Sequence, residues 1–411
     1  MAIAAESFER EYRPGPWRTL PPVPHKPVHA AICRMLFHRV ARNLRVRVEM
    51  PDGTVHGSTT PGDPVLRVHR DAFFHRVGTD GLVGFGEAYM AGDWDADDLG
   101  AALAPFAARV DSLVPPWMQK LRRFYVRRQP PHEENTRHGA RANIQRHYDL
   151  SNDLFALFLD ESMSYSCALY EPGDTLETAQ ERKIDRILDA VRAGPGARLL
   201  EIGSGWGALA IRAAKRGASV TTLTISREQQ HEARRRVADA GVADRVDVEL
   251  RDYRDATGAY DAVVSVEMIE AVGERYWPVY FESIERLLAP GGRAGIQAIV
   301  LEHARMVATR SQYTWIHKYV FPGGALPSVR AIEQTLAAHT RLRVSDRFHL
   351  GPDYATTLRE WRARFDAHAA EVDAIGFDHT FRRMWDFYLA YCEAGFATGY
   401  LDDVQLVLEA A

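Results

Sequence analysis

From residue 176 onward the apolar positions switch repeatedly between a helical and a strand period. The spacing predicts a helix over 176–193, a buried strand over 197–202 and a helix over 206–216. SVTTLTI then reads as a strand, 226–240 as a helix, and RVDVEL and YDAVVSV as further strands. A helix over 277–289 stops at Pro290-Gly291-Gly292, and RAGIQAIV follows as a strand. Alternating strands and helices predict an α/β fold built on a doubly wound, Rossmann-like parallel sheet. Residues 29–112 follow another pattern. Leu44, Val46 and Val48 alternate with Arg45, Arg47 and Glu49, and Pro51-Asp52-Gly53 supplies a turn, so this stretch reads as a hairpin. VLRVH (65–69) is a further strand, and the acidic stretch from Asp93 to Asp98 opens a helix. The expected organisation is an extended proline-rich segment (1–28), a small α+β domain (29–112), a basic linker (113–136) and a large α/β domain (137–411).

Composition narrows the function classes. A chain of 411 residues is long for one domain. A net charge of -4 argues against a nucleic-acid binder working through a global positive field. Cys33, Cys167 and Cys392 form no close pair and no metal-ligand spacing, which fits a reducing compartment and no metal site. No apolar leader and no membrane-length apolar run occurs, so a cytoplasmic protein with at most peripheral membrane contact is expected. Lys120, Arg122, Arg123, Arg127, Arg128, Arg137, Arg141 and Arg146 cluster around Phe124 and Tyr125. By composition this is first a solvated linker; the alternative is a surface resting on anionic lipid head groups.

The chemistry begins at LLEIGSGWGALAIRAAKRG (199–217). Gly203, Gly205 and Gly207 form a turn between strand and helix that lets a ligand approach the backbone, and Glu201 ends the strand. A glycine turn alone also serves dinucleotides. The preceding acid and the later segments favour S-adenosylmethionine. The second strand ends at Thr224-Ile225-Ser226 with Gln229 one turn into the next helix, and Thr224 and Gln229 offer neutral hydrogen bonds to a ribose, where an acid is usual. Asp252 and Tyr253 follow the third strand and suit an adenine, the acid accepting from its amino group and the ring stacking.

Four longer blocks carry a resemblance: HYDLSNDLFALFLDESMSYSCALY (147–170), SVEMIEAVGERYW (265–277), YTWIHKYVFPGGALPS (313–328) and RMWDFYLAYCEAGF (383–396). With them the chain resembles the cyclopropane-fatty-acid synthases, including the mycolic-acid cyclopropane synthases and the actinobacterial enzymes that make 10-methylene fatty acids, precursors of tuberculostearic acid. The resemblance covers 137–411 strongly; 29–112 resembles, more weakly, the lipid-binding N-terminal domain of longer members. It implies a class I methyltransferase fold, a homodimer, membrane phospholipids with unsaturated acyl chains as substrate, and methyl transfer to a cis double bond.

The resemblance also assigns roles. An alkene is a poor nucleophile, so the methyl must be held in line, and the resulting carbocation needs a dry, aromatic pocket. Tyr165, Tyr313, Trp315, Tyr319, Phe321 and Tyr354 are available for its walls, with core packing as the alternative. In the family a bound bicarbonate removes the proton. Cys167, Glu270, Ile299 and Tyr354 match its binding pattern, but Gln297 stands where the family has histidine. That departure puts the anion site's pH dependence and occupancy in doubt. Tyr165 and Ser166 lie over the cofactor's methionine end, and Glu270→Gln is expected to abolish product. Ring closure with loss of a methyl proton gives a cyclopropane; a hydride shift first gives an exocyclic methylene, which a separate reductase would convert to a methyl branch. Gln297, VFPGGALPS and the C-terminal EAGFATGYLDDVQLVL tilt the reading toward the methylene. Two other functions stay open: methylation of a small soluble amine or hydroxyl, and lipid binding on a methyltransferase fold without catalysis.

Overall fold

The structure is a computed structural model and describes residues 17, 19–109, 130, 135–136, 139 and 151–410. The N-terminal part contains α1 (Pro27–Arg42), β1 (Arg47–Glu49), β2 (Val55–Gly57), β3 (Val65–Val68), α2 (Ala72–Met90), β4 (Trp94–Ala96) and α3 (Leu99–Ala107). Its four strands form a sheet in the order β2-β1-β3-β4. The chain continues through α4 (Asn152–Ala156), α5 (Leu176–Ala190), β5 (Arg198–Ile202), α6 (Ala208–Lys215), β6 (Ser219–Thr224), α7 (Arg227–Asp239), β7 (Val246–Leu250), β8 (Tyr260–Val266), α8 (Trp277–Leu287) and β9 (Leu288–Leu301). It ends with α9 (His303–Thr309), α10 (Trp315–Tyr319), α11 (Val329–His339), β10 (Leu342–His349), α12 (Gly351–Ala367), α13 (Ala369–Ala374), α14 (His379–Ala397) and β11 (Leu401–Ala410).

The second sheet has seven strands in the order β10-β11-β9-β8-β5-β6-β7. The pairs β5–β6, β6–β7, β5–β8 and β8–β9 are parallel, as the alternating pattern requires, whereas β11 runs antiparallel to both β9 and β10. The order reverses direction at β5, which opens a crevice between the carboxyl ends of β5 and its neighbours. Leu199, Leu200, Val263, Val264 and Ile296 are buried in the middle of this sheet, so the continuous apolar runs reflect strands covered on both faces.

Three boundaries differ from expectation. The helix at 277 stops at Leu287, and Pro290-Gly291-Gly292 lies within β9, where the pairing jumps from Tyr260↔Leu288 to Ala262↔Arg293. A proline without a donor N–H is tolerated in such a bulge. The acidic stretch from Asp93 does not open a helix: Trp94–Ala96 pairs with β3, and only Asp98 caps α3, accepting from Ala101 N. Asp93 is buried against Arg70 and Arg76, at 3.0 and 3.2 Å. Pro27 and Val28, expected in the extended segment, form the first turn of α1, where a proline needs no donor partner.

The N-terminal part packs against the C-terminal helices. Its aromatics share one hydrophobic cluster with the C-terminal helices. Phe85 stacks on Trp94 at 4.5 Å, and both rings meet Phe387 of α14. Arg383 donates to the carbonyls of Tyr89 (2.6 Å) and Trp94 (3.0 Å), and Tyr89 OH donates to Asp386 at 2.5 Å. The basic segment carrying Arg122, Arg123, Arg127 and Arg128 lies outside the described residues.

Candidate active site

The glycine turn after β5 adopts backbone that side chains resist: φ is +95° at Gly203, +47° at Gly205 and +95° at Gly207. A Cβ on Gly203 would lie 2.6 Å from Met268 Cγ, so close packing excludes one there. Gly205 lines the crevice, and a Cβ on it would meet nothing within 4 Å. Gly205→Ala, which carries some backbone strain but meets no neighbouring atom, should fold and lose S-adenosylmethionine affinity by tenfold or more. Titration calorimetry with unchanged affinity would remove this turn from the binding site.

The crevice brings the expected cofactor residues together: Tyr165, Ser166, Glu201, Gly203, Gly205, Thr224, Ile225, Gln229, Asp252 and Tyr253 all line it. Gly207 sits one step behind as the cap of α6. Glu201 accepts from Thr222 Oγ1 at 2.6 Å, and burial pushes its carboxyl up to about 8. A buried acid of this kind suits the ammonium of an amino-acid ligand. Thr224 Oγ1 donates to Gln229 Oε1 at 2.8 Å, which turns the Gln229 amide nitrogen into the neutral donor expected for a ribose. Asp252 holds Arg254 through both oxygens (2.8 and 2.6 Å), and Tyr253 meets Tyr280 edge-on at 5.5 Å. Ser166 Oγ accepts from the buried Lys183 Nζ at 2.7 Å, a lysine the sequence reading passed over. These residues fit S-adenosylmethionine.

Beside the crevice lies a second cluster, of carboxylates. Glu267, at the end of β8, has φ +49°, a left-handed backbone uncommon for a side-chain-bearing residue. Its Oε1 accepts from Cys167 N (2.8 Å) and Gln297 Nε2 (3.1 Å), and its Oε2 accepts from Tyr354 OH (2.6 Å). Glu270 Oε1 accepts from Ile299 N at 2.6 Å, while its Oε2 is buried without a hydrogen-bond partner. Thus Cys167, Gln297, Ile299 and Tyr354, expected to hold a bicarbonate, already hold two side-chain carboxylates. The bicarbonate does not fit this donor set. Burial raises Glu267, opposed by Tyr354, Cys167 N, Lys183 and Gln297; burial and then the charge of Glu267 push Glu270 up to about 8.

Other expected residues fall into place or out of it. Tyr165 packs on Trp361 (5.2 Å) and shares a hydrogen bond with Tyr388 OH at 2.8 Å, and Tyr354 stacks on Phe396 at 4.4 Å. Trp315 and Tyr319 do not face the cofactor crevice. Trp315 lies against Gly86 of α2, whose Cβ would be 2.4 Å from the indole, and Tyr319 OH donates to Glu87 at 2.9 Å. The Cys167 thiol is pushed well up by burial and donates to Ala168 O, so it is no nucleophile. Glu267, which the sequence reading passes over, is the residue that gathers Cys167 N, Gln297 and Tyr354. Its one signal in the sequence is an acid directly after the strand YDAVVSV.

Comparison with known proteins agrees with this geometry. The family described as "Mycolic acid cyclopropane synthetase" matches residues 135–406. The chain is 50% identical over 404 residues to a tuberculostearic acid methyltransferase (UfaA1) of Mycobacterium tuberculosis, covering 95% of each. It is 36% identical to the cyclopropane-fatty-acyl-phospholipid synthase of Escherichia coli, covering 90% of this chain and 92% of the other. Among solved structures, mycolic acid cyclopropane synthase CmaA1 complexed with SAH and CTAB superposes with a TM-score of 0.61 at 30% identity, covering 68% of this chain and 98% of that one. Crevice, carboxylate cluster and relatives converge: the chain belongs to the mycolic acid cyclopropane synthetase family of S-adenosylmethionine-dependent methyltransferases.

Proposed function

We propose that this enzyme methylates a cis double bond in the acyl chain of a membrane phospholipid and that Glu267 is the base that ends the reaction, giving a 10-methylene chain. S-adenosylmethionine supplies the electrophilic methyl. The chain's own residues do the rest: the glycine turn and Glu201 orient the donor, aromatic walls keep water from the cation, and Glu267 takes a proton. The single observation carrying this reading is the Glu267 carboxylate held between Tyr354 OH, Cys167 N and Gln297 Nε2. A tethered carboxylate performs the task a bound bicarbonate would, and it needs no added anion. The methylene outcome is supported by the similarity to the tuberculostearic acid methyltransferase across nearly all of both chains. It implies a separate reductase as the next step. Lipid binding through the N-terminal part, peripheral membrane contact and a homodimer belong to the same reading. Among the described residues no helix is long and apolar enough to cross a membrane.

The test is product identification. The enzyme, freed of bicarbonate, is incubated with S-adenosylmethionine and vesicles of cis-monounsaturated phospholipid, and released fatty acids are analysed by mass spectrometry before and after mild hydrogenation. A gain of one CH2 that then takes up hydrogen supports the reading. A hydrogenation-resistant product gives a cyclopropane synthase, and a requirement for bicarbonate removes Glu267 as the base. No gain, with both ligands bound, leaves a lipid-binding protein.

Two neighbouring acids also fix a pH dependence. Glu267 accepts three hydrogen bonds and Glu270 only one, so Glu267 ionises first. Glu270, pushed up to about 8, keeps its proton while Glu267 becomes charged. The rate should rise with pH as Glu267 ionises. Glu270→Gln resembles the protonated acid and keeps an acceptor for Ile299 N, so, unlike the loss of product that the resemblance implies, kcat at pH 7 should stay within about fivefold, a loss below one ordinary hydrogen bond to a charged group. An inactive but folded Glu270→Gln with intact cofactor binding would transfer the base role to Glu270.

A further inference from the structure

Gln297 departs from the family's histidine, and the structure shows what it is attached to. Gln297 on β9 lies directly opposite Gln405 on β11 in the antiparallel register, and both side chains are buried. Arg186 on α5 donates to Gln405 Oε1 at 2.8 Å. Gln405 Nε2 donates to Gln297 Oε1 at 3.1 Å and to Lys183 O at 3.2 Å. Gln297 Nε2 donates to Asp403 Oδ2 at 2.8 Å and to Glu267 Oε1 at 3.1 Å.

A carboxamide can turn end for end, exchanging donor for acceptor. A guanidinium cannot, because it has donors only. Arg186 therefore favours one direction for the row, together with the acceptors on its nitrogen side: it requires oxygen from Gln405, whose nitrogen meets Lys183 O and Gln297, and Gln297 in turn presents nitrogen to Glu267, Asp403 Oδ2 and, at 3.4 Å, Cys167 O. Arg186 is itself fixed, with its guanidinium 3.7 Å above the Phe348 ring and 3.5 Å from Asp346. We propose that Arg186 and Gln405 are positioning residues for the catalytic base, acting through Gln297 to keep a hydrogen-bond donor on Glu267. Glutamine in place of histidine has a reason on this account: it cannot titrate, so the donor stays in place at every working pH.

Glu267 is also faced by Tyr354 from α12, Cys167 N, Lys183 from α5, Glu270 beyond β8 and Asp403 from β11. Loss of one donor from this set disfavours the ionised carboxylate, so the rising limb of the rate profile moves to higher pH. This inference rests on Glu267 being the base, so Glu267→Gln is assayed in parallel.

The experiment compares full-length Arg186→Met, Arg186→Lys and Gln405→Glu on unsaturated phospholipid vesicles from pH 6 to 9. Gln405→Glu still pairs with Arg186 but offers Gln297 an acceptor in place of a donor, which competes with Glu267 for the Gln297 amide nitrogen. The expected result is a fall in kcat of about tenfold at pH 7, the size of one hydrogen bond to a charged group. It recovers toward the parent value at high pH, with the KM for S-adenosylmethionine within about twofold. Arg186→Lys, still a donor only, should keep most of the activity. A merely structural role would lower the rate equally at all pH values. Parent-like kcat and pH profile in both Arg186→Met and Gln405→Glu, or a loss that is the same at every pH, overturns the inference while an inactive Glu267→Gln leaves the base assignment standing. A fully active Glu267→Gln overturns both.

Discussion

Glu267→Gln should bind S-adenosylmethionine as the parent enzyme does and form product about 1000-fold more slowly, within the usual range for a lost general base. The amide keeps an oxygen to accept from Cys167 N or Tyr354 OH, so the cradle survives, but it has no lone pair basic enough to take a proton from the cation. Calorimetry of cofactor binding and mass spectrometry of released acyl chains separate the two effects. Glu267→Gly makes a sharper companion. Glycine adopts φ +49° without strain and empties the space among Cys167 N, Tyr354 OH and Gln297. Added bicarbonate or formate should then restore part of the lost rate, since the same donors can hold a small anion. Parent-level turnover in Glu267→Gln would sink the assignment. Failure of rescue alone would show only that the emptied cradle collapses.

The division between what was legible in the sequence and what was not follows physical lines. The crevice was readable because each of its parts is local: a glycine turn, a strand end and the first turn of a helix carry their own spacing. The carboxylate cluster was not, because it is assembled across β8, β9, β11 and α12 from residues whose separation in the chain says nothing about their distance. Glu267 and Glu270 stand three apart in SVEMIEAVG, and only the left-handed backbone at 267 swings the first of them onto Tyr354 and Cys167 N. Gln297 was recognised as a departure, yet its meaning required Gln405 on a strand more than a hundred residues away. Trp315 and Tyr319 show the two readings an aromatic run allows, pocket wall or core packing. An aromatic run suggests a cation pocket, but these two rings spend their surface on α2.

That use of α10 leads to the second large effect, on stability. Glu87 of α2 is only 2% exposed and accepts from both Lys318 Nζ and Tyr319 OH on α10. Glu87→Ala leaves the lysine ammonium, whose side chain is 23% exposed, and a buried phenol without their acceptor. Removing one member of a largely buried pair costs about 3 kcal/mol, and Glu87→Gln, which keeps an acceptor for Tyr319, should cost about half of that. Urea unfolding measures both, and a loss under about 1 kcal/mol for Glu87→Ala would mean that solvent replaces the carboxylate at that seam. The consequence should extend to catalysis. The loop after α10 returns to the acid cluster, where Ala325 N donates to Glu270 O at 2.8 Å and Phe321 packs on Tyr388 at 5.8 Å. Loosening α10 therefore disturbs the backbone beside Glu270 and the Phe321–Tyr388 contact, which the proposed acyl site would border. Glu87→Ala should raise the KM for lipid vesicles more than that for S-adenosylmethionine, whose crevice is lined by the segment before α5 and the turns after β5, β6, β7 and β8 and includes no residue of α2 or α10. Equal changes in both constants would mean that the N-terminal part stabilises the fold without shaping the acyl site.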